Sequence, residues 1–542
     1  MSERRESEFD ALLGAEGTAR IAYEPVPRGA RLDLWWQRVS VDPLVRRLWN
    51  WGIPAFVTIT AAITRLYNLG HPREFVFDET YYVKDAWSLW NLGYSSTWPD
   101  TADANFSQGI VDGFTTTGSY VVHPPLGKWL IGAGMWLLGP ENAASWRVAT
   151  AIAGIAIVLL LFFIAKKLFS STLLAGIAAG LFAIDGNAIV MSRVALLDNF
   201  VTLFALLGFG AILLDREWSK RRLEEWVTRR RAAGLSVDWG PVFWWRPWLF
   251  AAGFAFGLTS SVKWSGFYFL AAFALYSVAV DIFARRRAGV TFYLSGTLWR
   301  QAPASFLLTV PVAALTLLAS WASWFTTTGG YDRQWATTAT NAATGAFAWI
   351  PSELQSWWHY QIAQYNYHVG EVRPHSYQAN PFTWLFMARP TSMYYDSNAD
   401  CGGASCAAEI VGLANPLIWW AATAALFYLI YRLVRYREWR VGLILMGMVG
   451  GYLPWLFYPT RTVFQFYSIA FEPYMILALT FGIGLVLGSR DDPAARREGA
   501  IRFVAVFLLV AIALSVFFWP LWTGQAIDYT YMKAHWWLPS WI

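Results

Sequence analysis

Charge is scarce in this 542-residue chain: Asp, Glu, Lys and Arg together make up 14% of it, where an ordinary soluble domain carries about 25%. That excludes a soluble enzyme. Cysteine is nearly absent, and the two present, Cys401 and Cys406, share one polar loop, so their redox state depends on the side that loop faces. No Walker motif, dinucleotide fingerprint, extended soluble domain or internal repeat is visible. What fills the chain instead is apolar: 56% hydrophobic and 18% aromatic residues, arriving in runs of about 20, the length that crosses roughly 30 Å of hydrocarbon. The chain therefore reads as a polytopic membrane protein.

The apolar runs predict eleven spans, near residues 50–68, 146–165, 171–191, 194–214, 247–262, 264–283, 301–324, 413–432, 440–458, 465–487 and 501–521. A further run, 126–139, is too short to cross unaided and reads as a re-entrant or interfacial piece. The charged stretch 1–49 has neither the length nor the order of a cleavable signal peptide and is expected to be a cytoplasmic tail. Short cytoplasmic loops hold an excess of Lys and Arg. With eleven spans and the N-terminus inside, 30 of the 42 basic residues fall on the inner side. Counting 126–139 as a twelfth span would reverse every later loop.

This topology divides the chain into the tail, a membrane domain 50–324 with an external loop at 70–145, an external loop 325–412, and C-terminal helices 413–542 whose end lies outside. The other basic residues oppose the orientation signal, because they fall at or near the outer face. Among them Lys128, Arg147, Arg193, Lys263 and Arg461 end helices in different segments yet reach one surface, a pattern suited to binding an anion. Taken singly, each also reads as a solvated or snorkelling charge.

After the first span comes EFVFDETYYVKDAWSLWNLG, residues 74–93. Tyr82, Ala86, Leu89 and Trp90 share one side of a helix suited to the outer interface. At its start stand Asp78 and Glu79. Either Asp78 caps the helix while Glu79 complements its dipole, or a carboxylate here serves as a general base toward a substrate hydroxyl.

Four segments carry a resemblance to the protein O-mannosyltransferases, multispanning enzymes that use a lipid-phosphate sugar donor. They are Phe77-Asp78-Glu79 with Lys84, His123-Pro124-Pro125-Leu126-Gly127-Lys128, Arg193 through Asp198, and Ser261-Val262-Lys263-Trp264-Ser265-Gly266. A weaker likeness continues through Asn380-Pro381 to Arg389-Pro390 and through Arg461 to Pro473. The resemblance implies an all-α GT-C type glycosyltransferase fold with about eleven transmembrane helices and outer interfacial helices in the first external loop. It further implies transfer of mannose from polyprenyl-phosphate mannose to Ser or Thr of exported proteins, with inversion, on the outer side of the membrane.

Such a reaction needs a carboxylate to take the hydroxyl proton and cations to hold a leaving phosphate. Asp78 is the expected base, and Glu79 would orient the acceptor or a neighbouring cation. Lys263, Arg461, Arg193 and Lys128 compete for the phosphate, while Arg147 could anchor the outer loop through an acidic partner. His123 is either held by its prolines or touches substrate. Asp198, costly inside an apolar helix, reads as an ion-pair partner of Arg193, with substrate contact as the alternative; Lys84 is structural or substrate-binding.

Eukaryotic members carry a β-trefoil domain after the seventh span, whereas 325–412 resembles the shorter loop of bacterial members, so acceptor recognition by that domain is not implied. The loop's Trp349, Trp357, Trp358, Tyr360, Tyr365, Tyr367 and Trp384 are expected mostly at the interface. His359, His368 and His375 lack tight ligand spacing, so no metal is expected, and lipid-phosphate mannose is a substrate, not a cofactor. Cys401 and Cys406 are expected to pair, because their loop is exterior. A lipid-phosphate sugar transferase acting on a lipid or glycan differs only in its acceptor. A secondary transporter fits worse, since its polar residues would gather at mid-membrane. The preference for Arg over Lys, with abundant Ala and Trp, points to a GC-rich bacterial genome and hence a bacterial plasma membrane. Expected partners are the donor, exported acceptor proteins and membrane lipids, not nucleic acid.

Overall fold

Every one of the eleven apolar runs is helical in the structure, a computed structural model that describes residues 29–403 and 405–542. The expected tail falls outside the described residues as far as residue 28. Among the described residues six helices are long and apolar enough to cross a membrane: Ala143–Phe169, Asp198–Ala232, Gly266–Arg287, Tyr293–Ser320, Pro416–Tyr436 and Ala494–Thr523. The run 171–191 is a broken span, Thr172–Ile184 followed by Gly186–Arg193 with a bend of 59°. Asp185 makes the break: its carboxylate accepts from the N–H groups of Asn187, Ala188 and Asn415, so it caps the second piece and cannot continue the first.

Of three further runs, Pro247–Val262 is helical over the range the sequence suggested, while Trp439–Gly451 and Glu472–Leu487 are shorter as helices than expected. The last two are prolonged by 3₁₀ turns at Leu453–Phe457 and Gln465–Ala470. Prolines explain part of this, since Pro454 and Pro473 lack the N–H that would carry an α-helix through. The first run begins earlier than expected, at Pro43, where Asp42 accepts from Leu44 N–H. The fourth continues to Ala232, because polar residues alternate with Leu223 and Val227 on a face that packs under Val290.

The helix expected at the start of the first external loop exists as Glu79–Leu92, and its apolar side meets protein. Tyr82, Val83, Ala86 and Leu89 are buried, and the helix packs on Leu126–Leu138, the short run predicted to be re-entrant or interfacial. The 325–412 loop holds the helix Ser352–Gly370 and two strands, Thr391–Asp396 and Cys406–Gly412, paired antiparallel and joined by Ile527–Asp528 as third strand. A disulfide between Cys401 and Cys406 closes the turn between the first two. Its aromatics divide: Trp349 and Trp358 are exposed, but Trp384 and Tyr360 are core.

Candidate active site

Phe77 turns the chain into the left-handed region, with φ at +52°, a conformation that costs a β-carbon-bearing residue of order 1 kcal/mol or more. Its ring is held edge-on against His375, Phe464 and Phe466. The turn sends the next two carboxylates different ways. Glu79 goes inward and is fully buried, accepting four hydrogen bonds: from Val76 N–H at 2.8 Å, Ala195 N–H at 2.7 Å, and Arg147 Nε and Nη2 at 2.8 Å each. Arg147 in turn donates to the carbonyls of Pro72 and Glu74. This answers the expected anchoring role of Arg147 and removes Glu79 as an acceptor-orienting group, because it has no lone pair left to offer.

Asp78 goes toward the cleft. It begins the helix, yet its side chain makes no capping hydrogen bond, and among the described residues no side chain or N–H donates to it. Burial pushes its pKa up to about 6, with the Lys263 cation opposing that rise and the Asp198 carboxylate adding to it.

Lys263 owes its place to a tight turn. The helix ending at Val262 gives way to extended backbone at Lys263, and the next helix starts at Gly266, where a β-carbon would come 2.3 Å from Ser260 N. Lys263 Nζ lies 2.7 Å from Asp198, the first residue of its helix. The expected Asp198–Arg193 pair is therefore not formed. Arg193 instead donates to carbonyls at the end of the first long helix, Tyr67 O at 2.6 Å among them, and is not free for a phosphate.

A cleft of about 1090 Å³ opens beside this pair. Its polar lining includes His123, Asp198, Lys263, His368 and Arg461, and the remainder is largely aromatic. Arg461 Nη2 donates to His368 Nδ1 at 3.0 Å, its guanidinium lies 5.7 Å from the Trp455 ring centre, and its Nε is buried without a partner. His123 stacks on His368 with ring centres 5.0 Å apart. Burial holds the His123 imidazole well below its usual range, and Lys263, His368, Lys128 and Arg461 push the same way, so it is neutral. Lys128 is buried, donates to His123 O at 3.1 Å and faces Asp85 at 3.7 Å. Lys84 pairs with Asp103 at 2.6 Å, away from the cleft.

Two residues here are ones the sequence does not assign to the site. Asp85 follows Asp78 by seven positions, hence on the same helical face, and that spacing could have found it; burial pushes it up to about 6 against the pull of Lys128 and Lys84. His368 carried no such signal. Among the described residues no group of three or more His, Cys, Asp or Glu side chains is arranged to hold a metal ion.

The match to a family model for "Dolichyl-phosphate-mannose-protein mannosyltransferase" covers residues 55–237, and one for the "C-terminal four TMM region of protein-O-mannosyltransferase" covers 353–541. The polyprenol-phosphate-mannose–protein mannosyltransferase of Mycolicibacterium smegmatis is 32% identical over 507 residues, 91% of this chain and 93% of that one. The enzyme of the same description from Mycobacterium tuberculosis is 31% identical over 527 residues, 93% of this chain and 95% of that one. The chain belongs to the protein O-mannosyltransferase family. The Saccharomyces cerevisiae protein O-mannosyltransferase Pmt1–Pmt2 complex, solved bound to its sugar donor, shares the fold with a TM-score of 0.67 at 15% identity, over 96% of each chain. The GT-C type helical fold is thereby shown, and this mannosyltransferase is a multi-pass membrane glycosyltransferase. Its cleft draws on both matched regions: His123 and Asp198 from the first, His368 and Arg461 from the second.

Proposed function

We propose that this mannosyltransferase moves mannose from polyprenyl-phosphate mannose to Ser or Thr hydroxyls of exported proteins, at the outer face of a bacterial plasma membrane. The single observation that carries the reading is Asp78: a half-buried carboxylate with no hydrogen-bond donor among the described residues, beside a cleft whose cations are Lys263 and Arg461. In the proposed step the Asp78 carboxylate takes the proton of the acceptor hydroxyl as its oxygen attacks the sugar carbon. The carbon–oxygen bond to phosphate breaks, and the electron pair leaves with polyprenyl phosphate. Attack from the face opposite the phosphate inverts the sugar carbon. Arg461, with an unpartnered buried Nε, and Lys263 receive the charge that develops on the phosphate. The aromatic part of the cleft suits the apolar chain next to it.

The relatives' descriptions name a polyprenol-phosphate mannose donor and a protein acceptor, and identity of 31–32% over 91–93% of this chain supports carrying both over. Purified protein incubated with polyprenyl-phosphate mannose and a Ser/Thr-rich peptide should add one hexose mass to the peptide. Mass gain on a lipid or glycan acceptor with none on the peptide would overturn the protein-acceptor reading.

A further inference from the structure

The helix Ser352–Gly370 presents Tyr360, Gln364 and His368 at four-residue intervals, so they lie along one face. That face grips the chain just before the His123-Pro124-Pro125 block. Tyr360 Oη accepts from Val121 N–H at 2.9 Å, Gln364 Nε2 donates to Val121 O at 2.9 Å, and His368 Nε2 lies 2.6 Å from Val122 O. A carbonyl can only accept, so Nε2 of His368 carries the proton. Nδ1 is then a lone pair, and Arg461 Nη2 donates to it. The two contacts define one tautomer and leave the ring no freedom to turn. Burial and the Arg461 charge hold His368 down at about 4, which keeps Nδ1 an acceptor near neutral pH.

We infer that His368 is a positioning residue: through its Nδ1 it fixes the Arg461 guanidinium so that the unpartnered Nε faces the donor phosphate. The Trp455 ring attracts the same guanidinium but leaves it free to turn. Nothing but His368 gives it a directional side-chain contact among the described residues, since Arg461 has no carboxylate partner there. The outer-loop helix thus connects two parts of the cleft contributed by distant segments, the His123 block and Arg461. This inference rests on the proposed phosphate role of Arg461.

The test is a double-mutant cycle on the full chain, read as donor KM against kcat. Arg461→Met should raise donor KM by about 10-fold or more, as loss of a charge-assisted contact does. His368→Phe, which keeps a ring for stacking on His123 but loses both hydrogen bonds, should raise donor KM by a similar factor. It should add little in the Arg461→Met background. His368→Asn, whose carbonyl oxygen replaces Nδ1, should recover most of the wild-type KM, whereas a merely structural role would leave it as impaired as Phe. An unchanged KM in Arg461→Met would sink the phosphate role itself. A raised KM in Arg461→Met with an unchanged one in His368→Phe, additive effects in the double variant, or no recovery in His368→Asn would each overturn the positioning role.

Discussion

Neighbouring carboxylates at Asp78 and Glu79 differ in the one property that matters for proton transfer. Glu79 is consumed by four donors, which leaves it no lone pair to offer a hydroxyl proton. Asp78 has none, and burial lifts it to about 6, closer to the pKa a general base needs at neutral pH. Asp78→Asn should therefore lower turnover by roughly 100-fold or more. Because the folded-state pKa lies above the unfolded value of 3.8, the folded protein binds this proton more tightly, and charging Asp78 lowers stability as pH rises through that window. Above about pH 6 the Asn variant should melt at the same temperature as wild type or higher, while wild-type kcat should fall as pH drops below about 6. A silent Asp78→Asn would return the base to an unidentified group. Glu79→Gln should behave in the opposite way: removing one partner of a buried ion pair costs about 3–5 kcal/mol, so melting temperature and yield should fall together with activity. Thermal unfolding of the two variants side by side separates catalysis from scaffolding.

The helices themselves were legible because hydrocarbon thickness imposes a run length, and all eleven runs fold as helices. Their breaks were not. Asp185 and Asp198 sit inside apolar stretches where hydropathy averages them away, and what fixes them lies elsewhere in the chain: Asn415 for the first, Lys263 for the second. The same limit explains the misassigned partner of Asp198. Arg193 stood five residues away in sequence, but a helix start pointed Asp198 to a cation 65 residues on. The buried face of Glu79–Leu92 was visible as a pattern, but periodicity cannot say whether an apolar face meets lipid or protein. The Cys401–Cys406 pair was legible from the side assigned to its loop. It closes a short turn in a hairpin that already has ladder hydrogen bonds to Ile527–Asp528 on its other edge. A loop that short gains only about 2 kcal/mol in the chain-entropy estimate. Replacing both cysteines by serine should leave expression and mannosyl transfer within about twofold of wild type, measured on the same peptide. Loss of folded protein would mean that the hairpin depends on the crosslink.

Across the membrane the basic residues sort into two kinds, and the sorting carries the topology. Of those assigned to the outer side, Arg65, Arg147 and Arg193 are buried and bind backbone carbonyls, so they are framework, while Lys263 and Arg461 line one cleft. Of those assigned to the inner side, Arg246, Arg432 and Arg497 are buried against Asp215 and Asp281, Glu438, and Asp33. Those pairs tie helix ends together. Exposed basic residues remain at Arg221, Arg222, Arg229, Arg286 and Arg300, on elements that the eleven-span count puts inside. Orientation follows such Lys and Arg near span ends and is little affected by acids, so pairing of the buried ones leaves the count intact. The prolonged helix to Ala232 carries residue 230 well past the apolar part of its span, whereas residue 400 lies at the hairpin turn of the opposite loop. A membrane-impermeant thiol probe on a Cys401→Ser/Cys406→Ser background should label Asp400→Cys in intact cells. Arg230→Cys should react only after the membrane is opened. Labelling of Arg230→Cys in intact cells would invert the protein, moving the Asp78–Arg461 cleft to the cytoplasmic side and removing exported proteins from its reach.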